Sequence, residues 1–99
     1  METKILKTTT EDIREAAAVI AGGGIVAFPT ETVYGLGADA LNGEAVAKVY
    51  AAKGRPSDNP MIVHISSKDY MMRLTPAVTE DMQKLADAFW PGPMTMIVD

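Results

Sequence analysis

The 99-residue chain contains no cysteine, which excludes disulfide frameworks and thiolate zinc sites. It has a single histidine, His64, so a multi-histidine metal centre is excluded as well. No apolar run approaches the roughly 18 residues needed to span a bilayer, and the N-terminus lacks the apolar core of a signal peptide. The expectation is a cytosolic protein with no membrane partner. A surplus of positive charge is missing too. The net charge of −4 argues against a general nucleic-acid-binding surface, although a local basic pocket survives any net charge. There is no P-loop, no dinucleotide-binding glycine pattern and no nucleophile elbow, so a standard nucleotide-binding fold is not expected. Internal repeats, low-complexity segments and charged tails are likewise absent.

What is present is an ordinary globular composition, 47% hydrophobic and 22% charged, in a chain of single-domain size. The seven methionines read as adaptable core filler rather than as a binding box. Ile5-Leu6 is a weak first strand. Thr9-Thr10-Glu11-Asp12 opens a helix, with hydroxyl caps followed by carboxylates suited to the positive end of the dipole. Ile13, Ala16, Ala17 and Ile20 give that helix one apolar stripe, and Gly22 ends it. Ile25 to Phe28 predicts a short buried strand that Pro29 terminates. Asn42-Gly43 marks a turn before a helix over Glu44 to Lys53, with Val46, Val49 and Tyr50 on its buried side. Met61 to Ile65 predicts a second buried strand. Ser67 caps a short helix through Leu74, and Thr79-Glu80-Asp81 opens another whose stripe is Met82, Leu85, Ala86 and Phe89. Trp90-Pro91-Gly92-Pro93 closes it, and Met94 to Val98 predicts a last strand. This order of elements argues an α/β fold.

Two stretches carry candidate chemistry. Pro29 to Asp39 sets the hydroxyls of Thr30, Thr32 and Tyr34, the carboxylate of Glu31 and two glycines just past a strand end. The strand fixes the root of such a loop, and glycines let backbone approach a ligand; the competing reading is a polar connection. Lys53-Gly54-Arg55-Pro56-Ser57-Asp58-Asn59-Pro60 puts two cations around a glycine on a proline-stiffened loop. Lysine with arginine there suits phosphate, since arginine can bind two oxygens at once; the competing reading is a pair of solvated charges. A lone histidine in a strand, as at His64, is by itself usually structural.

Taken together, Phe28-Pro29-Thr30-Glu31-Thr32-Val33-Tyr34-Gly35-Leu36, Lys53-Gly54-Arg55-Pro56 with Asn59-Pro60 and His64, and Trp90-Pro91-Gly92-Pro93-Met94-Thr95 resemble the YrdC-like family. Three motifs in order make the resemblance specific, and it covers residues 1–99 as a partial YrdC-like domain, the N-terminal half of the family's. It implies a twisted α/β sheet with packed helices around a concave, locally basic cavity. It also implies threonylcarbamoyl-AMP synthesis: L-threonine, bicarbonate and ATP give threonylcarbamoyl-adenylate and pyrophosphate, the adenylate then serving threonylcarbamoyl modification of tRNA. By the same resemblance Thr32 and His64 match threonine-contacting positions, and Arg55 and Asn59 match ATP-contacting ones. Lys53 lies beside them to neutralise the triphosphate, so Lys53 and Arg55 are the catalytic candidates. Thr30, Tyr34 and Thr95 line the cavity. Mg2+ is expected with the triphosphate rather than in a protein cage, and tRNA enters only indirectly, through the downstream machinery.

Three alternatives stand beside this reading. One is the YrdC-like module of a hydrogenase-maturation carbamoyltransferase, although its zinc-finger and acylphosphatase parts are not seen here. Another is a double-stranded RNA or tRNA-binding module, which the negative charge weakens. The third is a fragment without activity. On the last reading, Met94 to Val98 leaves an exposed strand edge with Ile97 on it, the isolated chain self-associates, and it makes no threonylcarbamoyl-AMP.

Overall fold

A computed structural model describes residues 2–54 and 61–99. The chain divides into two compact units, Met1–Pro60 and Met61–Asp99.

The first unit opens with helix α1, Thr10–Ala21. Its start is where the hydroxyls and carboxylates predict it. Thr9 Oγ1 accepts the Asp12 amide at 3.2 Å, and the Asp12 carboxylate accepts the Lys7 amide at 2.7 Å. One orphan donor of the first turn is thus satisfied by the cap, and the Asp12 side chain in return holds the backbone just before the helix. At the other end the Gly24 amide bonds Val19 O at 2.8 Å and the Gly23 amide bonds Ile20 O at 3.0 Å. This closure puts Gly23 at φ 89°, a conformation that disfavours any residue with a Cβ. The apolar stripe of α1 is less covered than its spacing suggests: no residue of the helix is fully buried and Ile13 is 55% exposed.

Strands β1, Val26–Phe28, and β2, Gly35–Gly37, form an antiparallel pair with Val26 opposite Gly37, Ala27 opposite Leu36 and Phe28 opposite Gly35. β2 falls inside the stretch read as loop. A Cβ on Gly37 would lie 2.7 Å from Phe28 Cε1, and one on Gly35 would lie 3.2 Å from Phe28 Cζ. The Phe28 ring therefore lies over both glycines, occupying the space their side chains would take. An aromatic ring laid across strand glycines compensates for the packing they lack.

Helix α2, Gly43–Lys53, is capped by Asn42, whose Oδ1 accepts the amides of Glu44 and Ala45 at 3.1 and 3.3 Å. Ala45 and Val49 are its buried residues, while Val46 and Tyr50 are half-buried. Lys48 Nζ donates to Gly23 O at 2.9 Å, tying α2 to the turn after α1.

The second unit holds a 3-10 helix, Lys68–Arg73, and helix α3, Glu80–Phe89. Ser67 caps the first through the Asp69 amide at 3.3 Å. Thr79 caps the second through Met82 N at 3.2 Å, and Met82 Sδ accepts the Thr79 amide at 3.4 Å. Met71, Thr75 and Ala86 are buried. Two members of the predicted α3 stripe, Leu85 and Phe89, are exposed at 43% and 58%. After α3 the chain turns through a cis Trp90–Pro91 bond, and the Trp90 indole N–H donates to Met94 O at 2.8 Å. Gly92 sits where a Cβ would come 2.7 Å from Phe89 O.

Three predicted strands do not form. Ile5-Leu6, Met61 to Ile65 and Met94 to Val98 are irregular, and among the described residues the sheet is the two-stranded β1–β2 pair. Met61 to Ile65 is not a buried strand, since Ile62 and Val63 are 63% and 46% exposed. Apolar content marks a segment able to pair, but a strand exists only where a neighbouring backbone completes its hydrogen bonds. The expected strand edge at Met94 to Val98 is thus absent as a ladder, although Ile97 is fully exposed as anticipated.

Candidate substrate site

Pro29 to Tyr34 connects β1 to β2, so both ends of the Thr-rich stretch are held by paired backbone. Thr30 organises it. Its Oγ1 donates to Val33 O and accepts the Thr32 amide at 3.2 Å, closing a turn with a side chain where a backbone bond would otherwise serve. Thr32 Oγ1 lies 3.5 Å from the same oxygen. Thr30 is half-buried, whereas Glu31, Thr32, Val33 and Tyr34 are exposed, Tyr34 to 75%. The loop therefore turns Thr30 toward its own backbone and leaves the hydroxyls of Thr32 and Tyr34 accessible to a ligand.

Lys53 is the last residue of α2 and exposed, followed by Gly54 at φ 67°, where the helix is broken by a left-handed turn. A cation on the last turn is favoured by the helix dipole, and this one is placed at the root of the Lys53–Pro60 stretch. Arg55 and Asn59 lie outside the described residues. His64 and Thr95 belong to the second unit, both exposed. His64 Nδ1 lies 3.4 Å from Ile62 O, so a proton on that nitrogen is donated to the carbonyl. Thr95 follows the residue whose carbonyl receives the Trp90 indole, so the loop closure after α3 fixes its backbone.

Of the sequence-derived candidates, the structure brings Thr30 and Thr32 into contact. Lys53 and Tyr34 share their unit, and His64 and Thr95 share the other. Two open clefts in the second unit, about 390 and 330 Å³, are lined by residues of the 68–83 stretch and by Thr75 to Met82 with Ile97 to Asp99. None of the candidates lines either. Phe28, read as the strand end that opens the first motif, has a role in the loop that the sequence reading did not assign: its ring packs over Gly35 and Gly37 where the loop ends. The signal available was an aromatic residue facing a Gly-x-Gly across a short connection. No group of three His, Cys, Asp or Glu able to hold a metal ion occurs among the described residues, and none of their helices is long and apolar enough to cross a membrane.

Comparison with known proteins gives one consistent answer. The model of the Sua5/YciO/YrdC family, described as "Telomere recombination", matches residues 18–99. Threonylcarbamoyl-AMP synthase of Pyrococcus abyssi is 52% identical over 86 residues, covering 87% of this chain and 25% of the relative. That of Bacillus subtilis is 52% identical over 93 residues, covering 94% and 27%. That of Halorhodospira halophila is 40% identical over 86 residues, covering 87% and 45%. The chain thus spans between a quarter and somewhat under half of these relatives. The crystal structure of P. abyssi Sua5 complexed with L-threonine superposes with a TM-score of 0.80 at 50% identity, over 87% of this chain and 25% of that one. Sequence motifs, backbone and family match agree, and the chain belongs to the Sua5/YciO/YrdC family.

Proposed function

We propose that this chain forms part of a threonylcarbamoyl-AMP synthase, joining L-threonine, bicarbonate and ATP into threonylcarbamoyl-adenylate with release of pyrophosphate. The observation that carries the reading is the superposition, at 50% identity, on a Sua5 crystallised with L-threonine. The threonine nitrogen takes up carbon from bicarbonate with loss of water, and an oxygen of the resulting carbamate attacks the α-phosphorus as pyrophosphate leaves. No side chain has to act as nucleophile. Alignment of the carbamate and neutralisation of the departing pyrophosphate provide the rate, which suits a chain without cysteine.

In this proposal Thr32 and His64 contact L-threonine, with Tyr34 and Thr95 lining the cavity. Lys53, Arg55 and Asn59 hold ATP, and Lys53 and Arg55 take the negative charge that grows on the leaving group. Magnesium arrives as part of the Mg-ATP substrate, held by its phosphates. The adenylate would then pass to the enzymes that modify tRNA, so tRNA is an indirect partner.

Arg55 provides the sharpest test. Loss of a charge-assisted, two-pronged contact costs on the order of 1.5–3 kcal/mol. In the native gene product, Arg55→Ala should therefore raise the ATP requirement of threonine-dependent pyrophosphate release at least about tenfold, with little change in the threonine requirement. Pyrophosphate release that proceeds without threonine would overturn the reaction. An unchanged ATP dependence would overturn the role of Arg55.

A further inference from the structure

We propose that Thr30 is a positioning residue that fixes the polarity of Thr32, leaving Thr32 Oγ1 as a hydrogen-bond acceptor toward the bound amino acid. The inference rests on the reading of Thr32 as a threonine contact and goes beyond it by assigning which way that contact runs.

The argument is a count of protons and lone pairs. A threonine hydroxyl has one proton to donate and two lone pairs to accept with. Thr30 Oγ1 bonds Val33 O, and a carbonyl oxygen can only accept, so the Thr30 proton is committed there. One of its lone pairs receives the Thr32 amide at 3.2 Å. The remaining polar neighbour is Thr32 Oγ1 at 3.5 Å. With its proton already spent, Thr30 cannot donate across that separation, so in any bond between the two hydroxyls Thr32 is the donor. The bond is long, so it biases rather than locks the hydroxyl: where it forms, the Thr32 proton points inward and its lone pairs are left outward on an exposed side chain.

An acceptor in that position discriminates. It welcomes a donor such as the ammonium group of an amino acid, which carries three protons and no lone pair. It repels a carboxylate or a phosphate oxygen, which carry lone pairs and no proton. Thr32 therefore faces a donor of the amino acid, its ammonium or its side-chain hydroxyl, and the carboxylate lies elsewhere. Thr30, with its hydroxyl fully used inside the turn, is left no proton for the ligand. That changes its assignment from a cavity-lining group to one that acts through Thr32.

A double-substitution cycle tests this, with L-threonine affinity measured by calorimetry on the native gene product. Thr32→Val keeps the shape and removes the acceptor, and should weaken L-threonine binding about tenfold. Thr30→Val frees Thr32 to rotate and should weaken binding several-fold, while Thr30→Ser, which keeps the hydroxyl, should restore it. Since both act through one oxygen, the double variant should bind no more weakly than Thr32→Val alone. Losses that multiply in the double variant would show Thr30 acting independently of Thr32, and would overturn the inference while leaving the threonine role of Thr32 intact. The same holds if Thr30→Val binds like the parent, or if Thr30→Ser fails to rescue. Unchanged affinity in Thr32→Val would overturn both the inference and the role on which it rests.

Discussion

At the residue scale, the glycines of this chain divide into those that geometry demands and those it merely tolerates. Gly92 and Gly43 mark the two ends of that range. A Cβ on Gly92 would meet a backbone oxygen, Phe89 O, at 2.7 Å, and a carbonyl at the end of a helix cannot swing aside as a side chain can. Gly43 opens α2 with nothing within 4 Å of where its Cβ would stand. Gly92→Ala should thus destabilise the chain by about 1–3 kcal/mol, the usual cost of forcing an extra methyl into filled space. Gly43→Ala should stabilise it by about 0.4–1 kcal/mol, because the helix keeps its geometry and the unfolded chain loses freedom. Urea titration of both variants checks the pair. Gly37→Ala falls between them, since the Phe28 ring it would meet at 2.7 Å can move. Its effect should reach the Thr30–Tyr34 loop as well, because that ring sets where the loop ends.

At the scale of elements, helices were legible in the sequence and strands largely were not. α1 and α3 begin at the hydroxyl starts read from the sequence, Thr9-Thr10 and Thr79, and α2 begins one residue before the expected Glu44, with Asn42, read as a turn residue, as its cap. A helix satisfies its own backbone, and its signals are local: a cap, an apolar spacing, a terminating glycine. Strands answer to a partner elsewhere in the chain, and apolar runs such as Met61 to Ile65 and Met94 to Val98 have none among the described residues. Conversely, β2 hid behind two glycines that lower strand propensity, and it forms because Phe28 lies across from it. For the site, the sequence disclosed which side chains to watch but not their division of labour. That Thr30 turns inward while Thr32 faces out depends on one hydroxyl bond to Val33 O. Within the second unit, the Lys68–Asp87 ion pair at 2.5 Å links the 3-10 helix to α3. The hydrogen bond and charge of Asp87 raise the Lys68 pKa above its ordinary 10.5. A group whose folded pKa is raised stabilises fully below its unfolded pKa, and that contribution disappears as pH rises through the folded value. The thermal midpoint should therefore be lower for Asp87→Asn than for the parent at pH 8, with the gap closing as pH rises beyond the ordinary lysine value of 10.5. Both side chains are about half exposed, so the gap should be small and should shrink in salt. A gap that widens with pH would show that the pair is not its source.

At the scale of the whole molecule, few large side chains are withdrawn from water. Among the described residues the buried hydrophobic set is Ala45, Val49, Met71 and Ala86, two in each unit, and two of the four are alanines. Alanine burial contributes little, while a fully buried valine or methionine contributes roughly 1.5–3 kcal/mol each. Local order must then rest mostly on helical hydrogen bonds and their caps, and it should differ sharply along the chain. α2 has a side-chain cap at its N-terminus, a glycine closure at its C-terminus, a lysine tether to Gly23 O and both buried hydrophobic residues described in its unit. Its central amides should exchange with solvent deuterium slowest. Amides of Met61 to Ile65 and Met94 to Val98, with no ladder to hold them, should exchange at least about tenfold faster, which corresponds to about 1.4 kcal/mol less opening free energy. The measurement also decides whether the fully exposed Ile97 marks a self-pairing segment. Protection at Met94 to Val98 that matched α2 at high concentration and vanished on dilution would mean that copies of the chain complete a strand for one another. Fast exchange at every concentration would mean that Met94 to Val98 stays unpaired, and with it the expectation of self-association through that segment would fall.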